Sequence, residues 1–181
     1  MYTKEEQAIK FVIKALEGKK RIKEDIALSF HSISVGVMLK NNNCDENTVL
    51  AGFLHDIIED SDFDYEYIKE NFGETVADYV LNVSEDMSIT DWKQRKIAFI
   101  ENLENCDNNI VLIEVADKLH NLLSDYKLWK KEGKKALATL RTTYDMNKWY
   151  YLEMKELFNR KLSNDALLDR YNEICDIYFR D

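Results

Sequence analysis

A chain of 181 residues with 45% hydrophobic and 33% charged side chains can bury one substantial core, and its apolar share argues against disorder. A net charge of −9 argues against indiscriminate binding to nucleic acid or to an anionic membrane, so an anionic small molecule would need a local cation to meet it. No apolar run reaches the roughly 18 residues of a membrane span, and the acidic N-terminal MYTKEEQAIKFVIK lacks the apolar centre of a signal peptide. Cys44, Cys106 and Cys175 are far apart and in no metal-type spacing, so free thiols in a reducing, cytoplasmic compartment are expected.

The chain has no proline and only five glycines, too few turn residues for a many-stranded sandwich or barrel. Helical periodicity predicts helices over 4–17, 24–40, 46–59, 64–71, 73–83, 90–104, 108–127, 133–159 and 163–179. Asp45 or Asn47 is placed to cap the third, Asp64 the fourth, and Thr90 or Asp91 the sixth. Gly73, after Asn71-Phe72, marks a helix-to-helix turn. With no repeat, low-complexity tract or linker, the expectation is a single all-α domain over 1–181.

Three helices hold chemistry in apolar surroundings. The stretch AGFLHDIIED, residues 51–60, sets His55, Asp56, Glu59 and Asp60 among side chains that belong in a core. On one continuous helix, the i+3 and i+4 spacings would gather these four into one wall. NNIVLIEVADKLHNLL, residues 108–123, is apolar nearly all round, so Asp117 in its middle would be a buried carboxylate, costly unless paired or bound to a metal. IALSFHSISVGVMLK, residues 26–40, carries His31.

Two imidazoles and two carboxylates would give a divalent cation an N/O environment suited to Mn²⁺, Fe²⁺, Co²⁺ or Zn²⁺ better than to Ca²⁺ or Mg²⁺. Each residue also has a plainer reading. His31 alone fits a hydrogen-bonded core histidine. Asp117 could pair with Lys118, His120 or Arg95. Glu59-Asp60 could be an acidic helix end, and His120 could hydrogen-bond or face solvent. Trp149-Tyr150-Tyr151 reads as packing. The ordered combination of His, His-Asp and Asp on separate apolar helices favours the joint site.

His31, then His55-Asp56 as His-Asp-x-x-Glu-Asp, then Ala116-Asp117-Lys118-Leu119-His120-Asn121-Leu122, resemble the HD superfamily of metal-dependent phosphohydrolases. Within it the chain resembles the hydrolase domain of bifunctional alarmone synthetase/hydrolases and their small stand-alone relatives, which remove the 3′-pyrophosphate from guanosine tetra- and pentaphosphate. The resemblance runs from about residue 5 to about 130. It includes Asn71-Phe72-Gly73-Glu74-Thr75-Val76-Ala77, Ser84-Glu85-Asp86 and Trp92-Lys93-Gln94-Arg95-Lys96, and it leaves residues 133–181 unmatched.

The resemblance implies that His31, His55, Asp56 and Asp117 bind one Mn²⁺, that Glu59 and Asp60 position and activate the attacking water, and that Asn121 faces the nucleotide. It puts Arg21, with Lys20 or Lys23 beside it, against base or phosphates. Arg21, Lys23, Arg95 and Lys96 are then candidate phosphate clamps, set against their plainer reading as solvated helix faces. The chain departs from the family at Leu28, where a Tyr is usual, and at Ser32, where a Pro is usual, so guanine selectivity is not implied. Two rivals stand beside the alarmone hydrolase: a nucleotidase or pyrophosphohydrolase on another phosphorylated metabolite, and a non-catalytic metal- or nucleotide-sensing helical module. Alarmone synthesis is not expected, and the sequence is silent on oligomeric state.

Overall fold

The computed structural model describes residues 2–21, 24–133 and 142–180. Among these the chain is all-α, with no β-structure beyond an isolated bridge between Lys20 and Ala27. In chain order the helices are α1 (Lys4–Ala15), α2 (Leu28–Asn41), α3 (Glu46–Leu54), α4 (Ile57–Asp60) and α5 (Tyr65–Phe72). They continue with α6 (Glu74–Asn82), α7 (Trp92–Glu104), α8 (Asn108–Glu132), α9 (Tyr144–Lys161) and α10 (Ala166–Tyr178).

Local sequence fixes most ends. The Asp45 carboxylate accepts from the Asn47 and Thr48 amides, Asp64 from Tyr67, and Asp91 from Gln94. Gly73, at φ 99°, takes a backbone conformation that side chains rarely adopt and joins α5 to α6. Several boundaries differ from the sequence pattern: α8 runs on to Glu132, past the expected 127, α9 begins only at Tyr144, and two further differences bear on the site. The helix expected from 24 starts at Leu28, because Asp25 sits at φ 47°, the Arg21 amide donates to the Ile26 carbonyl at 2.9 Å and the Leu28 amide donates to the Lys19 carbonyl at 2.9 Å. The helix expected over 46–59 breaks at His55-Asp56 into α3 and α4. The segment 134–141 of the expected helix 133–159 lies outside the described residues.

Helix α3 is the centre of the bundle. Every residue from Thr48 to Leu54 is buried, as its nearly unbroken run of small and apolar side chains requires. It packs against α2, α6, α1 and α8. Gly36 of α2 and Gly52 of α3 face each other so closely that a Cβ on Gly52 would lie 3.3 Å from the Gly36 Cα. Helices α9 and α10 close the other side of α8 with an aromatic layer, in which the Tyr171 hydroxyl donates to the Tyr151 carbonyl at 2.8 Å.

Candidate functional site

The glycine crossing of α2 on α3 brings His31 and His55 together, and α8 passes beneath them with Asp117. One donor atom from each of these three buried residues lies within 4.8 Å of the other two. His31 Nε2 is 2.9 Å from Asp117 Oδ1 and 3.2 Å from His55 Nε2. Asp56 joins from the break between α3 and α4, with Oδ1 3.1 Å from His55 Nε2 and Oδ2 3.8 Å from His31 Nε2. The break has a physical reason. Asp56, at ψ −5°, turns its carboxylate back towards the two imidazoles and receives the Ser32 hydroxyl at 3.1 Å, contacts that a straight helix would not provide.

This donor set calls for a positive charge at its centre. His55 Nδ1 lies 2.9 Å from the Gly52 carbonyl, an acceptor only, so Nδ1 keeps its hydrogen and Nε2 is the nitrogen that faces inward, where a proton or a cation can sit. Burial would depress the basicity of His55, yet the Asp56 and Asp117 carboxylates overcome it and raise its pKa to about 10. Burial likewise opposes ionisation of Asp56, but the His55 and His31 imidazoles hold it well below the ordinary carboxylate range. The residues therefore fit a divalent cation.

Each oxygen of Asp117 has its own task. Oδ1 faces the imidazoles and also accepts from Asn121 Nδ2 at 2.6 Å, while Oδ2 accepts from the Lys118 ammonium at 2.6 Å. Pairing with Lys118 and facing the joint site are thus both realised. Lys118 is also 3.1 Å from the buried Glu114 carboxylate. Burial would lower its pKa, but Asp117 and Glu114 push it well above the usual lysine value. Glu114 itself is raised to about 7 by burial, against the pull of Lys118. His120 meets His31 rather than Asp117: its Nδ1 is 2.8 Å from His31 Nδ1. Burial, with His31 and Arg21 nearby, pushes it down to about 4.

The cluster opens into a cavity of about 470 Å³, in the range of small-molecule sites. Glu59 and Asp60 of α4 line it, and the Glu85 amide donates to Glu59 Oε1 at 2.7 Å. Burial raises the Glu59 pKa despite that hydrogen bond. Arg21, Lys96 and Asn121 are also in the wall, and Arg21 Nη2 donates to Asn121 Oδ1 at 3.1 Å. Lys96 is not on a solvated face: its ammonium is paired with Glu85 and sits 4.5 Å from the Tyr150 ring centroid. Arg95 is absent from the cavity wall. It donates to Glu85 Oε2 at 3.0 Å and to the Ile89 carbonyl at 2.7 Å, so it braces Glu85. Lys23 lies outside the described residues.

Sequence reasoning missed Lys118 and Glu85 as parts of the wall, and it took Tyr150 and Tyr151 for packing alone, whereas both line the cavity. A signal for Lys118 was its position in an otherwise apolar helix. For the tyrosines there was none, because an aromatic pair on a helix looks the same whether it faces a core or a cavity.

Comparison with known proteins decides the family. The HD domain family profile matches residues 8–143. The chain belongs to the HD domain family. Among HD relatives, it is 32% identical over 146 residues to the guanosine-3′,5′-bis(diphosphate) 3′-pyrophosphohydrolase MESH1 of Drosophila melanogaster, covering 72% of this chain and 79% of that protein. It is 30% identical over 153 residues to the probable GTP diphosphokinase RSH2, chloroplastic, of Arabidopsis thaliana, covering 75% of this chain but only 21% of that much longer protein. Two solved structures share the HD fold. One, of a metazoan ortholog of SpoT that hydrolyzes ppGpp, has a TM-score of 0.81 at 24% identity and covers 99% of this chain and 97% of its own. The other, a Listeria monocytogenes EGD-e protein, has a TM-score of 0.78 at 30% identity and covers 83% of this chain and 99% of its own.

Proposed function

We propose that this chain is a metal-dependent phosphohydrolase that removes the 3′-pyrophosphate from a guanosine 3′,5′-bis(diphosphate)-type nucleotide. The observation that carries the reading is the convergence of His31, His55 and Asp117, with Asp56 against both imidazoles, on the floor of a cavity walled by carboxylates and lysines. The relatives named for this activity support the choice of substrate.

His31, His55, Asp56 and Asp117 would hold the ion, and Mn²⁺ is the ion proposed for this two-nitrogen, two-oxygen set. A bound divalent ion supplies Lewis acidity towards a phosphate oxygen and makes water more acidic. Glu59, with Asp60 beside it, takes the proton from the attacking water as its oxygen bonds to phosphorus. The P–O3′ bond breaks, its electron pair stays on O3′, and that oxygen takes up a proton as pyrophosphate leaves. Lys96, Arg21 and Lys118 offset the charge of the phosphates in a chain of net charge −9. Asn121, tied to Asp117 and Arg21, presents its amide edge to the nucleotide. A cytoplasmic setting suits such a substrate, and no described helix is long and apolar enough to cross a membrane.

Chelation should abolish pyrophosphate release, and added Mn²⁺ should restore it at least about tenfold better than Mg²⁺, whose preferred shell is all oxygen. Pyrophosphate release that survives chelation unchanged removes the reading. Leu28 in the cavity wall favours one second reading, a related phosphorylated nucleotide as substrate. A panel of nucleotides assayed with Mn²⁺ separates the two, a clear preference for a 3′-pyrophosphate excluding the second.

The proton-accepting role of Glu59 has a pH signature. It works only when ionised, and its pKa lies above the usual glutamate value, so turnover falls as pH drops through that raised pKa. Glu59→Gln should cut turnover by about 10²–10⁴-fold and erase this acid limb. Measured kcat against pH at saturating metal checks it, and a persistent limb in the variant assigns the proton elsewhere.

A further inference from the structure

We infer that His120 is a positioning residue for the ion-facing imidazole of His31, accepting the His31 Nδ1 hydrogen and so keeping the Nε2 lone pair turned towards the metal. The inference rests on the metal reading above.

The geometry is specific. A single turn of α8 addresses both nitrogens of one ring: Asp117 Oδ1 lies 2.9 Å from His31 Nε2, and His120 Nδ1 lies 2.8 Å from His31 Nδ1. Residues three apart on a helix are neighbours, so Asp117 and His120 hold the ring from its two ends. His120 is not in the cavity wall, so it acts on chemistry through His31 rather than through substrate.

The two ligand histidines differ in what fixes their hydrogen. His55 Nδ1 faces the Gly52 carbonyl, which can only accept, so its tautomer is settled by the backbone. His31 Nδ1 faces another imidazole, which can accept or donate, and two nitrogens 2.8 Å apart share one hydrogen between them. If His120 donates, a neutral His31 must carry its hydrogen on Nε2, aimed at Asp117 Oδ1 and at His55 Nε2 3.2 Å away, and the site is closed to an ion. If His120 accepts, that lone pair is free. A metal ligand's outer partner is usually a carboxylate, a backbone carbonyl or water. Here it is a neutral-type ring, so His120 controls whether His31 is a ligand at all.

The test loads the intact protein and its His120→Ala and His120→Gln variants with Co²⁺ and records proton NMR with a chelator-competition affinity. Wild type should show two paramagnetically shifted, exchangeable imidazole N–H signals. In His120→Ala one should be lost to solvent exchange, the other, from His55 on the Gly52 carbonyl, should persist, and Co²⁺ affinity should fall about 10–100-fold. His120→Gln, whose amide oxygen can accept, should recover part of both. Circular dichroism matching wild type separates this from loss of fold. Two unchanged signals and unchanged affinity in His120→Ala overturn the inference while leaving the metal reading intact. A wild type that binds no Co²⁺ overturns the metal reading and this inference with it.

Discussion

Asp56→Ala is expected to cut turnover by roughly 10²–10³-fold, while the protein remains folded. The ion that Asp56 would help hold is the electrostatic partner of the negative charge developing on phosphate, and loss of such a partner typically costs about 3–4 kcal/mol, each 1.4 kcal/mol being about tenfold in rate. Asp56 belongs to no helix interior, so its truncation leaves no packing defect: it sits at the break between α3 and α4, and its carboxylate serves His55, His31 and Ser32. The loss should appear in kcat and in metal affinity together, and the melting temperature should fall as well, because buried His55 loses the carboxylate that favours its proton, with circular dichroism showing that the fold is kept. Steady-state kinetics of pyrophosphate release, beside metal analysis of the purified variant, provide the check. Turnover within a few-fold of wild type would mean that the ion, or the reaction, lies elsewhere.

Gly36→Ala should have the largest effect on stability among single-methyl additions. A Cβ there would lie 2.2 Å from Phe53 Cδ1 and 2.5 Å from its Cγ and Cε1. Phe53 is a rigid ring buried in the central helix, so something must shift. Overpacking of this kind costs about 1–3 kcal/mol, against about 1 kcal/mol that alanine gains over glycine within a helix. With the Cβ at 2.2 Å from a rigid ring the cost lies at the upper end of that range, a net loss of about 2 kcal/mol, and for a chain of this size the melting temperature should fall by roughly 4–8 °C. The same crossing sets the distance between His31 and His55, so turnover should fall further than stability alone explains, on the order of 10²-fold if the imidazoles part by about 1 Å. A variant with unchanged melting and unchanged metal affinity would show that the glycine contact does not set the spacing.

The helical fold was readable because its signals are local. Asp45, Asp64 and Asp91 cap helices in the structure, each chosen by a short polar side chain just before an apolar period, and Gly73 turns α5 into α6 as its position suggests. His31, His55 and Asp117 were readable because a titratable group amid apolar neighbours is costly without a purpose. The break at His55-Asp56 was not, since what bends the chain there lies on α2, in His31 and Ser32, far away in sequence. Nor was the half-buried trio of Glu85, Arg95 and Lys96. On a helix surface such charges look solvated, and only tertiary packing turns Lys96 and Arg95 onto the same carboxylate. Lys118 and His120 sit within the motif itself, yet their partners are set by how α8 rolls against α2 and α9.

The ammonium against Asp117 Oδ2 carries one more consequence. Many small metalloproteins are unfolded until loaded, because their ligands repel one another without the ion. Here Lys118 already compensates the buried Asp117, and a proton on His55 can stand in at the centre. Assembly of the bundle is therefore expected to precede loading. On the metal reading, the empty protein would be a receptor that gains and loses its ion, so supply of the ion, rather than folding, would set how much of the population is active.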